Sequence, residues 1–311
     1  MASVVQLTLP MFIGTLLNWG LFGTLLVQAY IYFSVFQKDR AWLKFIVILI
    51  VSLEVIETLS ATHDMIIVFG TGWGNPEALD SVGWAWFSVP VMGSIIAFVC
   101  QVFYGWRICI IGKSPLSTLF FGLITLISLV QLGAGIWAGV IICNAGRFSL
   151  LQSDNLRATA TWLATTSLAD LIIVCGTVFF LRRSTDPEFT SKKTNSIVSR
   201  VIMITAETGL LCMLFALVDL FLFAKYKGTN YHLSLCSELS KLYSNGILLI
   251  LNSRAHMGHE CTHTTNSNYS VNLSSTLFNA RVPSSHPIEV GVSVSRAGSG
   301  DYSATKMEMD V

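Results

Sequence analysis

Seven unbroken stretches of apolar residues, each long enough to cross a lipid bilayer, constrain this chain more than any other feature. They run near residues 12–36, 42–70, 84–112, 116–143, 157–181, 197–224 and 232–253. About 20 residues rising about 1.5 Å each cross about 30 Å of hydrocarbon. In that medium each peptide N–H and C=O needs a partner within the protein, so a spanning segment is a helix or a strand of a closed barrel. The stretches are continuous, with no strict alternation, which selects helices. Charged residues make up 12% of the chain and hydrophobic ones 53%, against about 25% charged in a soluble domain. That leaves too little polar surface to coat a water-soluble particle. The sequence predicts an all-α, seven-helix transmembrane bundle over residues 1–256, multi-pass in the plasma membrane or an endomembrane, with the lipid bilayer as its first partner.

Lysine and arginine placement orients the bundle. Lys38, Arg40, Lys44, Arg107, Lys113, Arg182, Arg183, Lys192, Lys193, Arg200 and Arg254 fall on one side, and Arg147, Arg157, Lys225 and Lys227 on the other. The richer side is expected to be cytosolic and the N-terminus outside, with Trp73, Trp84 and Trp86 as an outer aromatic belt. The first helix is expected to serve as an uncleaved signal anchor. Residues 257–311 are rich in Ser, Thr, Asn and Gly without a periodic apolar face, and are expected to be a disordered cytosolic tail. Its sequons at Asn268 and Asn272 then escape glycosylation.

Several classes are disfavoured. A net charge of +1 gives no reason to expect nucleic acid. The seven cysteines form no CxxC pair, and Cys143 with Cys236 are the two that a shared membrane face would let meet. His256, His259, Cys261 and His263 sit in the tail, where a floppy cluster makes a poor zinc site. No nucleotide loop or metal spacing is present, His63 is the sole histidine deep within a span, and no enzyme, metal or cofactor is expected.

Ionisable residues inside a span cost about 2.5–3.5 kcal/mol each on insertion scales and therefore mark sites or interhelical bonds. On the second span Glu57 and Asp64 project about 20° apart and Glu54 about 60° from Glu57, one acidic stripe with His63 roughly opposite. The fifth span carries Thr165, Thr166, Ser167 and Asp170, and the sixth Glu207 and Asp219. On the seventh, Ser234, Glu238, Lys241, Asn245 and Asn252 form a stripe that must face the bundle interior. Glu238 and Lys241 have i,i+3 spacing suited to an ion pair. Glu57, Asp64, Asp170, Glu238, Lys241 and Asn245 are accordingly the candidate pocket residues. They imply a hydrated cavity in the outer half, lined by the second, fifth and seventh spans. The competing reading is that they hold helices together. Gly135 and Gly139 suggest close helix packing, and Pro90 a kink.

Several strings occur in a suggestive order: Gln28-Ala29-Tyr30-Ile31-Tyr32-Phe33, Gln101-Val102-Phe103-Tyr104-Gly105-Trp106-Arg107-Ile108, Ala169-Asp170 followed by Arg182-Arg183-Ser184, Lys241-Leu242-Tyr243-Ser244-Asn245 and Leu251-Asn252-Ser253-Arg254. Over residues 10–256 the chain resembles a fungal family of seven-span membrane proteins known as a domain of unknown function. The resemblance implies fold and topology and no activity. Glu54-Val55-Ile56-Glu57-Thr58-Leu59 departs from the Asp-Thr-x-His-like pattern expected there.

The leading expectation is a receptor or sensor of an unknown small ligand, with a cytosolic signalling partner. Arg107 lacks an Asp-Arg-Tyr setting and the seventh span lacks Asn-Pro-x-x-Tyr, so the likeness to G-protein-coupled receptors is one of layout. A proton-coupled transporter using buried acids is the alternative, though repeated halves and broken helices are absent from the sequence pattern. A retinal protein built on Lys241 and a purely structural membrane protein stand further back.

Overall fold

The computed structural model describes residues 4–147, 156–184, 192–225 and 231–262. Among them the regular structure is helical, and the β-pairing is an isolated bridge between Ser81 and Arg147. Helix α1 covers Val4–Val35 and α2 Ala41–Ile66, prolonged by a π-helical turn at Ile67–Thr71. A short α3, Pro76–Asp80, follows, then a second π turn, Phe87–Met92, running into α4, Gly93–Gly112. The remaining helices are α5, Pro115–Ala145; α6, Leu156–Ser184; α7, Lys192–Lys225; and α8, Tyr231–Thr262.

Local chemistry sets the boundaries. Ser114 caps α5 in a reciprocal capping box with Ser117, and Pro115 occupies the first helical position, where its missing N–H costs nothing. Gly146 ends that helix at φ 65°, the left-handed cap that glycine tolerates best. Asn75 caps α3 by accepting from the Glu77 amide at 2.9 Å, so a helical turn stands where the sequence suggested turns alone. Pro90, expected to kink the third span, lies inside the second π turn, where a widened helix accommodates a residue without an N–H.

Six helices among the described residues are long and apolar enough to cross a membrane: Thr8–Val35, Ala41–Thr71, Phe87–Gly112, Pro115–Ala145, Arg157–Phe180 and Met203–Phe223. The chain is a multi-pass membrane protein. The expected seventh span, 232–253, is also helical, but it is too polar to count by apolarity. Its polar side chains turn inward, with Glu238, Lys241 and Ser244 at 1%, 0% and 0% exposure. α8 continues past residue 253 into the beginning of the expected tail. Residues 263–311, with His263 and both sequons, lie outside the described residues, as do the side chains of His256, His259 and Cys261.

α8 packs along α1 and α7, α4 lies against α5, α6 and α8, and α2 rests on α1. Leu25, Tyr32, Ile50, Ile96, Tyr104, Tyr243 and Ile247 fill the core. Leu16, Phe45, Leu59, Leu119, Leu126 and Phe221 point outward, an apolar exterior suited to lipid. A Cβ on Gly135 would lie 2.5 Å from Ser94 Cβ, and one on Gly139 2.6 Å from Val91 Cγ2. Those two glycines therefore seat α5 on the segment around Pro90 within one chain.

Candidate functional site

Lys241 of α8 is fully buried and donates to Glu54 and to Glu57 of α2, themselves 0% and 1% exposed. The i,i+3 spacing of the two glutamates puts both on one helical face, and the same spacing sets Ser244 beside Lys241. Ser244 Oγ donates to Glu54 Oε1 at 2.5 Å. From α1, Asn18 Nδ2 lies 3.2 Å from each Glu57 oxygen, and Asn18 Oδ1 accepts from Thr58 Oγ1 at 3.3 Å. Lys241 Nζ also stands 5.7 Å from the centre of the Phe22 ring. Three helices thus meet at one ammonium. Removing these groups from water costs several kcal/mol per ion, and attraction at low dielectric offsets it only because each charge has close, oriented partners.

Next to this cluster lies a cavity of about 100 Å³. Asn18, Asp64 and Ser237 are on its wall, and both π turns contribute to it, through Ile67 and Val68 and through Ser88 and Val89. Asp64, 8% exposed, accepts from the Trp84 amide at 2.9 Å to each oxygen, and His63 Nδ1 is 3.3 Å from Oδ1. The approach of that loop requires Gly83: its φ is +55°, and a Cβ there would sit 2.6 Å from Asp64 Oδ1.

Asp170 belongs to a different network. Tyr243 donates to its Oδ2, Gln101 Nε2 to Oδ1 at 3.1 Å, and Ser128 Oγ to Gln101 Oε1 at 2.8 Å, which joins α4, α5, α6 and α8. Three further polar residues of α6 are satisfied by their own helix: Thr165, Thr166 and Ser167 donate to Thr161, Trp162 and Leu163 carbonyls.

The structure therefore gathers Glu57 and Lys241 in one cluster, puts Asp64 on the cavity wall, and assigns Asp170 elsewhere. Among the described residues, α6, the expected fifth span, contributes nothing to the wall of this cavity, while α1 does. Lys241 is bonded to Glu54 and Glu57 rather than in the expected pair with Glu238: α2 presents two carboxylates side by side, whereas a neighbour on the same helix offers one. Glu238, 1% exposed, accepts from Ser237 Oγ at 3.3 Å, and its Oε2 has no hydrogen-bond partner. Asn245 serves packing, donating from Nδ2 to Leu21 O at 3.1 Å and Lys241 O at 2.8 Å. Asn252 repeats this two turns on, with Gln28 O at 2.8 Å. His63 is exposed yet reaches Asp64 through the adjacent backbone position. Cys143 and Cys236 are both free thiols, the first exposed and the second buried.

Asn18, Thr58, Gln101, Ser128 and Tyr243 were not singled out as site residues. A lone Asn in the apolar run of α1 was the legible signal for the first of them.

At the opposite end, Asp39 in the α1–α2 turn accepts from Arg254 Nη2 at 2.6 Å and Tyr32 OH at 3.0 Å. Arg254 also stacks 4.6 Å from the Phe36 ring centre. Partial burial works to raise Asp39, but bonds from Arg254, the Arg40 amide and Tyr32 outweigh it and hold the carboxyl below its ordinary value.

A family of unknown function, DUF6534, matches residues 166–256. The DUF6534 match takes in most of α6, all of α7 and the greater part of α8, and so Asp170, Glu238 and Lys241, but not Glu54 or Glu57 of α2. It bears on a smaller part of the chain than the resemblance over 10–256 implied, and carries no activity. No curated protein and no solved structure matches the chain.

Proposed function

We propose that this is a seven-span membrane protein that senses a small ligand from its N-terminal, outward side and passes occupancy of the cavity to the opposite face through the Lys241 cluster. α8 is read as the seventh span, since its polar side chains are spent on α1 and α2 rather than on lipid. The lysine and arginine bias supports the orientation. One observation carries the sensing reading: Asn18 lines the cavity and also bonds Glu57, a partner of Lys241. A ligand that displaces the Asn18 amide removes a donor from Glu57 and so alters its hold on Lys241 at the junction of α1, α2 and α8. An element held by one such junction has two arrangements for a ligand to choose between.

The test places spin labels at Phe45 on α2 and Leu249 on α8, both exposed, in the protein in nanodiscs. Lys241→Met and Asn18→Ala should each move the interlabel distance by about 2 Å. Unchanged distances in both variants refute the coupling. A carrier reading rests on the second network, in which Ser128, Gln101, Asp170 and Tyr243 form a buried chain of exchangeable protons. Proton flux in proteoliposomes that vanishes in Asp170→Asn would favour it.

A further inference from the structure

Resting on the sensing reading, we infer that the cavity takes a small organic cation, a short primary alkylammonium in chemical class. Size, charge and wall chemistry carry this together.

The volume of about 100 Å³ accommodates on the order of seven water positions. That suits a small organic molecule of up to about ten heavy atoms. Among the described residues, no lysine, arginine or histidine lines the cavity, and one carboxylate, Asp64, does. The basic group the described residues bring to Asp64 is His63, which is half exposed and is cationic only when protonated. Behind the wall the imbalance deepens. Asn18 separates the cavity from Glu57, and Ser237, also on the wall, donates to Glu238, whose second oxygen is buried without a hydrogen-bond partner. Glu54, Glu57, Asp64 and Glu238 are thus set against the single ammonium of Lys241. Asp64 offers its carboxyl oxygens on a wall that carries no basic side chain among the described residues, in surroundings of low dielectric where a charge-assisted bond from a cation is strengthened. A cation gains there and an anion is repelled.

The rest of the wall chooses among cations. Met11, Met65, Ile67, Val68 and Val82 give it apolar surface. Calcium and magnesium demand six or more oxygen ligands, and among the described residues no group of three His, Cys, Asp or Glu gathers to hold any metal. An alkyl chain lies against that surface while its ammonium donates to Asp64 and the Asn18 or Ser237 oxygens. Methionines on both α1 and α2 supply flexible apolar contact.

The test is a charge ladder on the purified full chain: thermal unfolding with n-butylammonium chloride, n-butanol and sodium butyrate at matched ionic strength, with sodium chloride alone as baseline. The ammonium should raise Tm saturably, the alcohol less and the butyrate not at all. In Asp64→Asn, whose remaining oxygen keeps the Trp84 amide bond, the apparent affinity for the ammonium should fall at least about tenfold. The charge-matched Asp39→Asn, at the far end of the bundle, should leave it intact. The ladder on the unaltered protein decides even where Asp64→Asn fails to fold. Equal stabilisation by alcohol or butyrate, the same rise with sodium chloride alone, or full retention in Asp64→Asn overturns the cation inference and leaves the sensing reading standing. If none of the three compounds shifts Tm, the inference falls. If in addition Ala61→Phe, which fills the cavity, leaves the Phe45–Leu249 distance unchanged, the sensing reading falls with it.

Discussion

Replacing Lys241 by Met removes the one ammonium shared by Glu54 and Glu57 and leaves both carboxyls buried against a thioether. Both contacts are shielded from solvent, with 0% exposure at Lys241 and 0–1% at its partners, so screening does not soften the loss. Breaking a buried pair by deleting one partner costs about 3–5 kcal/mol in soluble proteins. Within a bilayer the unfolded helices also find partners, and measured interhelical bonds reach about 1–2 kcal/mol. With two partners stranded at once, about 3 kcal/mol is expected for Lys241→Met. The sign of the compensation is the sharper test. Lys241→Met with Glu54→Gln and Glu57→Gln should recover at least half of that loss, because the neutral amides no longer oppose one another. Equilibrium unfolding in mixed micelles reads both quantities. A triple variant less stable than Lys241→Met alone would refute the reading of this cluster as a charge-balanced junction and favour independent bonds.

Four other outcomes are expected. Gly135→Ala should cost about 1–3 kcal/mol in the same unfolding assay by overpacking, since its new methyl meets Ser94 and the Pro90 carbonyl; Gly122→Ala, with open space around it, should be neutral or stabilising by up to about 1 kcal/mol. Gly83→Ala should lower stability through its positive φ and its contact with Asp64, whereas Gly74→Ala, also at positive φ but unobstructed, should cost less. The Asp39–Arg254 pair should be pH-dependent: Asp39 is depressed in the folded state, so its contribution is complete above about pH 4 and lost as pH falls through the lower folded value. The Tm gap between the parent protein and Asp39→Asn should close over that acid window, and a gap independent of pH refutes the assignment. In a variant keeping Cys143 alone, inserted into sealed microsomes of defined sidedness, an impermeant maleimide should react only once the vesicles are opened, since that exposed thiol ends α5 on the side assigned outward, which faces the microsome lumen; labelling of closed microsomes reverses the orientation.

The helices were legible because hydrocarbon imposes one solution on long apolar runs, and the segments 116–143 and 157–181 match α5 and α6 to within a few residues. α8 was legible for the opposite reason: a stripe of Ser, Glu, Lys and Asn repeating on one face has no stable place against lipid. The inward orientation of Glu54 and Glu57 followed from the same projection. Which partner each polar residue meets did not follow, since it depends on how helices far apart in sequence are rotated. Asp170 could not be separated from Glu57, nor could Lys241 be assigned to α2 rather than Glu238. The π turns were hidden as well, because they change the count of residues per turn without altering the apolar pattern that marks a span.

Lys241 leaves the ribosome nearly two hundred positions after its acidic partners Glu54 and Glu57. Throughout that interval α2 must shelter Glu54 and Glu57 without their counter-charge, whether by holding protons or by lingering beside the insertion machinery. Arrival of α8 then supplies the ammonium and, through Asn245 and Asn252 on the backbone of α1, clasps these two helices together. A nascent chain cut short before residue 241 therefore lacks the ammonium that Glu54 and Glu57 share.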